Sequence, residues 1–374
     1  MIERTRLSLL LGGAALVLAL GCGGTKRDAK APVLPPSNPR AVNKLSQGVQ
    51  AARERDGRDR AIRLLEEAVA VDDKLWEARY NLGVLHAGAG RLVLAEKELE
   101  RAAELAPNAE DVAVALAEVR LRRGDPRGAV RALEPFVRRH PKAAVAPIAL
   151  IAALRESGEP GRAIEQAHAV LVRHARHPDA LSELALSHLA RGESDTAELL
   201  ALEAQKADAK SAAAARTLGL VALGKGDDAE AFRHFTRASE LDPTDTTARL
   251  NIATVLLKAG VYERARVEFE TVLEIDPDDG AALLGLAAAR RALAQRDDSA
   301  ALGEAEALLR RVLEKDPGNL AATFNLGVLY VDYLKRPNDG APLLRRFLEE
   351  APENHPARAE AERLLAGSAP TPKR

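Results

Sequence analysis

The sequence predicts an all-α chain of stacked helical hairpins, and three observations carry that prediction. Ala recurs at 61, 95, 129, 163, 197, 231 and 265, always 34 residues after the last. Gly keeps the same step at 90, 124, 158, 192, 226 and 260, and Leu at 82, 116, 150, 184 and 218, continued by Ile252 and Leu286. Self-similarity at such a period is the signature of a repeat array, in which each unit buries its apolar face against the next. The third observation is compositional. The chain is 47% hydrophobic but only 3% aromatic, so Ala, Leu and Val carry the apolar fraction, as close helix packing favours.

At the N-terminus, Arg4 and Arg6 precede an apolar run of 14 residues from Leu7 to Leu20, followed at once by Gly21 and Cys22. A spanning helix needs roughly 20 apolar residues. The run is shorter, and its charged, apolar and small-residue regions stand in the order of a secretory signal. Residues 22–41, with Pro32, Pro35, Pro36 and Pro39, show no apolar period and read as a flexible tether.

From 42 the repeat takes over, and residues 212–245 show its logic. Ala215, Leu218, Gly219 and Ala222 lie at helical spacing, so a first helix has an apolar face. Gly226 ends that helix, since glycine accepts the left-handed conformation of a helix C-terminus. Ala231, Phe235 and Ala238 mark the inner face of a second helix: the small residue lets two axes approach, and the ring fills the space beside it. Pro243 stops the second helix, and Asp245 can cap the next. Nine units follow: 42–75, 76–109, 110–143, 144–177, 178–211, 212–245, 246–279, 280–319 and 320–353. Units 144–177 and 178–211 lack the terminal proline, with Ala175 and Ala209 in its place. Unit 280–319 has six extra residues around Gln295 to Gly303, and unit 320–353 is stretched near Leu334 to Gly340. An amphipathic helix at about 356–366, with Arg358, Glu360, Glu362 and Arg363, suits a solvating end cap. Residues 367–374 read as a disordered tail.

Composition excludes some functions. With 54 basic and 55 acidic residues the net charge is -1, so no basic excess exists to neutralise a phosphate backbone, and nucleic acid is not expected as a partner. One cysteine, Cys22, makes no internal disulfide. Gly219 to Lys225 resembles a phosphate loop, but Gly226 stands where Ser or Thr is required, and the segment lies on a helix whose N–H groups are already used. His168, His174 and His177 cluster near a loop, but no cysteine or patterned carboxylate completes a metal set, and they read as exposed histidines at a helix end. His86 and His188 read as packing residues. No catalytic constellation stands out, and neither a cofactor, a metal nor a small-molecule substrate is expected.

Two resemblances add to this reading. Ala19-Leu20-Gly21-Cys22 resembles a bacterial lipobox, with Ala where Leu or Val is commoner. The resemblance implies a signal peptide over 1–21, diacylglycerol on Cys22, and, with Gly23 rather than Asp after the cysteine, an outer-membrane lipoprotein facing the periplasm. An ordinary signal peptide with an incidental cysteine is the competing reading. The unit itself resembles the tetratricopeptide repeat, most fully in 76–109 (Leu82, Gly83, Gly90, Ala95, Ala102, Pro107) and 212–245, and over residues 42–366 in all. That implies a right-handed α-solenoid whose first helices line a concave groove for protein or peptide partners.

Carried over position by position, the groove residues are Tyr80, Asn81 and Val84; Val114, Glu118 and Leu121; Ile148, Ala152 and Arg155; Leu186 and Leu189; Arg216, Leu220 and Leu223; Leu250, Asn251, Thr254 and Leu257; Phe324, Asn325, Val328 and Val331. The three asparagines stand where family members bond a peptide backbone. Arg122, Arg155, Arg216, Lys258 and Arg291 edge the apolar stripe, which suits an amphipathic helix or apolar segment. Packing between neighbouring first helices is the competing use of these side chains. The expected function is a non-enzymatic scaffold of the cell envelope. It most resembles the gliding-motility repeat lipoproteins, with type IV pilus or secretin assembly and polysaccharide export as alternatives. An enzyme or carbohydrate-processing accessory with a hidden site is the hypothesis of a different class.

Overall fold

The computed structural model describes residues 37–294 and 299–368. The N-terminal signal, Cys22 and most of the tether lie outside the described residues, as do part of the insertion near Gln295 and the end of the tail. The described chain is helical in strict succession, without strands. First helices and second helices alternate: α1 Pro39–Ala51, α2 Arg58–Val71, α3 Trp76–Gly88, α4 Leu92–Leu105, α5 Glu110–Arg122 and α6 Pro126–Arg139. They continue with α7 Ala146–Glu156, α8 Pro160–Leu171, α9 Pro178–Ala190, α10 Ser194–Ala207, α11 Ala212–Lys225 and α12 Asp228–Leu241. Then come α13 Thr246–Lys258, α14 Tyr262–Ile275, α15 Gly280–Leu293, α16 Ser299–Lys315, α17 Leu320–Val328, α18 Pro337–Glu350 and the terminal α19 Arg358–Ser368. This is a solenoid of helix–turn–helix units, with two compact parts divided between Lys225 and Gly226.

The helix ends follow from the sequence. Gly90, Gly124, Gly158, Gly192, Gly226 and Gly260 all have φ between 71° and 83°, closing the turn between the helices of a unit. Asp125, Asp227, Asp245, Asp279 and Asn319 accept N–H groups in the first turn of the helix that follows. Pro39 was expected in the tether but opens α1: Asn38 accepts the Arg40 N–H as N-cap, and a proline at the first helical position gives up an N–H that has no helical partner anyway.

The phased alanines, from Ala61 to Ala265, are fully buried. Beside them the sequence trades volume between helices. In α3 and α4, Gly83 faces Leu99, whose Cγ would lie 2.5 Å from any added Cβ. In α7 and α8 the bulk is reversed, with Ile151 on the first helix and Ala167 on the second, both fully buried in one apolar cluster. Each such leucine or isoleucine contributes roughly 1.5–3 kcal/mol by burial. Unit 144–177 thus keeps a filled core by moving the large side chain across the hairpin, whereas unit 178–211 has alanine on both helices, Ala185 and Ala201, both fully buried.

The stretch in the last unit has a local cause. After α17 the backbone winds as a π-helix over Leu329–Tyr333, which takes in one extra residue. The insertion therefore begins upstream of the expected Leu334. Downstream, Gly340, Leu344 and Pro352 each stand one residue later than the repeat requires, and Lys335, at φ 54°, makes the left-handed turn that glycine makes elsewhere.

Candidate functional site

In the part before Gly226, the first helices touch one another in a row, α1–α3–α5–α7–α9–α11. In the part after it, α13, α15 and α17 do the same. Each second helix packs chiefly on the first helices beside it. The row of first helices is therefore a continuous layer within each part, and every groove residue expected from the sequence stands on it except Val331, which falls in the π-helical stretch after α17. Asn81 to Leu223 belong to the first part and Leu250 to Val328 to the second.

None of these side chains is widely exposed. Asn81, Ile148, Asn251 and Val328 are buried. Val84 and Leu121 pack against the apolar clusters beneath them, and Phe324 lies against Phe347 with ring centroids 5.0 Å apart. Leu189 covers Gly224, where an added Cβ would come within 2.8 Å of its Cδ1. Leu186, Leu220 and Leu223 in one part, and Leu250 and Leu257 in the other, are half-buried. The more exposed apolar side chains, such as Val93, Leu94, Leu199, Leu202 and Val267, stand on second helices, one or two to a helix.

The asparagines share one conformation. Asn81, Asn251 and Asn325 each donate from Nδ2 to a carbonyl four residues back, those of Glu77, Thr247 and Ala321, at 2.7–2.9 Å. Their amide nitrogens are thereby committed to their own helices, while the Asn81 Oδ1 is buried without a hydrogen-bond partner. The edging cations are committed too. Arg122 donates to the Ala87 carbonyl at 2.9 Å, capping α3, and Lys258 pairs with Asp228. Arg291 lies over the Tyr333 ring and reaches Asn325, and Arg216 is engaged as well. Arg155 pairs with Glu183, Nε to Oε2 3.3 Å, with both side chains 9% exposed.

Two acids matter more than composition suggests. Glu183 occupies the repeat position that holds Asn in 81, 251 and 325, and is buried. Aligning the units by phase would have revealed it. Glu118, on α5, has no hydrogen-bond donor among the described residues, and burial pushes its carboxyl up to about 7, with Arg122 pulling it partly back. Across from it, burial and the charges of Asp111 and Glu118 push the Tyr80 phenol up to about 12. Buried Asn81 and Tyr80 on α3 and half-buried Glu118 on α5 thus place polar side chains on adjacent first helices.

The decoys resolve structurally. Gly219 to Lys225 lies wholly within α11. His86 is buried, and burial followed by Arg91 lowers its pKa. His188 was expected as a packing residue; it is half-buried, and its Nδ1 meets Glu193 across the turn after α9. Among the described residues no three His, Cys, Asp or Glu side chains converge as a metal site, and no helix is long and apolar enough to cross a membrane.

Comparison with known proteins bears on this arrangement. Two tetratricopeptide repeat models match: one covers 47–110, 114–146, 148–212 and 184–246, more than half of the chain, and the other 222–290. The chain belongs to the tetratricopeptide repeat family. Tetratricopeptide repeat proteins are in general non-enzymatic scaffolds that hold peptides or proteins in a groove. Similar solved structures include a thermophilic tetratricopeptide repeat protein of Thermus thermophilus, at 23% identity and TM-score 0.42 over 49% of this chain and 99% of that one. A tetratricopeptide repeat protein from Parabacteroides merdae matches at 16% identity and TM-score 0.43, covering 68% of this chain and 97% of that one. The pilF protein of Pseudomonas aeruginosa matches at 19% identity and TM-score 0.39, over 67% and 96%. No curated protein matches the sequence.

Proposed function

We propose that this tetratricopeptide repeat protein is a lipid-anchored scaffold of the bacterial cell envelope, holding partner segments on its row of first helices. Cys22 carries the lipid, the residues from 23 to the start of α1 at Pro39 span the distance from an outer membrane, and the solenoid stands in the periplasm. Several acyl chains, at roughly 0.8 kcal/mol per buried methylene, make such attachment durable. The machine it serves is gliding motility by resemblance, with pilus or secretin assembly and polysaccharide export as the alternatives.

The observation that carries the scaffold reading is the set of half-buried leucines, 186, 220, 223, 250 and 257, recurring on first helices between buried neighbours. A half-covered apolar side chain on a preformed surface gains from contact with an amphipathic segment at little ordering cost. The exposed apolar residues of the second helices are scattered and form no comparable row, as on ordinary soluble surfaces. Changing Leu186 and Leu220 to Asp tests the reading. Loss of the partner crosslinked in cells, with helix content and melting unchanged, supports it; retained crosslinking removes it.

A further inference from the structure

The turns between units carry a repeated acid, replaced by Ala106 in the turn after α4 and by histidine in the next two. At the phase just after the second helix stand Asp72, Asp208, Asp242, Asp276 and Asp316, and in four of these the carboxylate accepts the N–H two residues on, at 2.9–3.2 Å. The same phase in the adjacent turns after α6 and α8 holds His140 and His174. Residues 140–145 and 173–177 contain no acid, and add Lys142, Arg173, Arg176 and His177.

Between these turns is a cavity of about 240 Å³. Lys142, Arg173, His174 and His177 line it, over a floor of Ala143, Ala144, Pro147, Ile148 and Val170; no carboxylate does. Lys142, Arg173 and His174 have no ion-pair partner among the described residues. Glu110 accepts the N–H groups of Val145 and Ala146, at 2.6 Å each, in the turn before α7. His177 caps α9 weakly, its Nδ1 accepting the Ala180 N–H at 3.5 Å, which leaves the proton on Nε2. The His174 and His177 rings meet edge-on, 6.4 Å apart. His168 does not line the cavity.

We propose that this cavity binds the phosphoryl group of a small phosphate ester. Lys142 comes from the turn before α7, and Arg173, His174 and His177 from the single turn between α8 and α9. Four donor side chains around one cavity suit a tetrahedral oxyanion, whose oxygens accept in several directions, better than a carboxylate, which offers two oxygens in one plane. The volume corresponds to about eight waters, enough for a phosphoryl group with a short stem against the apolar floor. Cations with no internal acid paired to them give such a group a net attraction that the turns holding Asp72, Asp208, Asp242, Asp276 and Asp316 do not. The ester is soluble or is the headgroup of a lipid, and the chemistry is the same.

The test uses the full chain and two probes. Glycerol phosphate is titrated by calorimetry, and phosphatidylglycerol vesicles, compared with phosphatidylcholine ones, are tested by cosedimentation of the Cys22→Ser chain. The expected result is saturable binding in at least one arm, weakened tenfold or more in Lys142→Gln/Arg173→Gln and unchanged in Arg176→Gln, whose side chain lies outside the lining. Absence of binding in both arms overturns the proposal. So does binding that survives the double change, or falls equally in the Arg176 variant. Because the cavity and the half-buried leucines are tested by different variants, either reading can fail without the other.

Discussion

Glu118 is held in a place that costs its charged form. With the folded carboxyl at about 7 and an ordinary one near 4.5, the folded chain keeps a proton between those values that the unfolded chain has lost. Stability contributed by this group is therefore full below pH 4.5, declines as pH rises towards 7, and is flat above. At 1.36 kcal/mol per unit, the span is on the order of 3 kcal/mol. Glu118→Gln should remove that decline, so urea midpoints measured at pH 5 and pH 8 should differ less in the variant than in the parent. Equal pH dependence would mean that the carboxyl is solvated. At the same scale, two glycines should respond with opposite sign to alanine. Gly192, at φ 79°, should lose about 1–2 kcal/mol, the cost of a Cβ in the left-handed region. Gly88 is in α3 with nothing within 4 Å of an added Cβ, and should gain about 0.5–1 kcal/mol. Chemical denaturation of the two variants checks the contrast.

Among the elements, α6 carries an internal proline at Pro135. It removes a helical N–H from the middle of the element, and Pro135 is exposed, so no core contact compensates. Pro135→Ala should raise stability by about 1–3 kcal/mol, read from the urea midpoint; a loss would show that the bend at this residue is needed to seat α6 on α5 and α7. The elements were legible because each is punctuated by residues with one physical role: Gly158 can only be a turn, Asp279 only a cap. The swap of bulk between Gly83/Leu99 and Ile151/Ala167 was less legible, because it depends on which side chains face each other across a hairpin. The π-helix at Leu329–Tyr333 was hidden for another reason. Its extra residue is absorbed within a continuous helix, and only the later phase of Leu344 and Pro352 betrays it. For the candidate site, spacing located the row of first helices but not the state of its polar groups. That Asn81 turns back onto Glu77, and that Arg155 is spent on Glu183, depends on contacts between residues 4 and 28 apart.

For the whole molecule, the proposed anchor and the proposed row act together: one fixes where the solenoid is, the other what it holds. Cys22→Ser should move the chain from the membrane to the soluble fraction in cell fractionation; continued membrane association would remove the lipid from the account. The recurring ion pairs Arg79–Glu98 and Arg249–Glu268 occupy equivalent positions in units five repeats apart, tying first to second helices on each part of the chain. In such largely buried pairs the cost of desolvating both charges offsets much of their attraction. The stack is held mainly by its buried alanines and leucines, which leaves first-helix positions free to vary with the partner. The most direct test of the central claim is site-specific photocrosslinking in cells, from Leu220 on a first helix and from Leu199 on a second. The account predicts a discrete crosslinked partner from Leu220 and none from Leu199. A partner captured from Leu199 alone, or from neither, would contradict it.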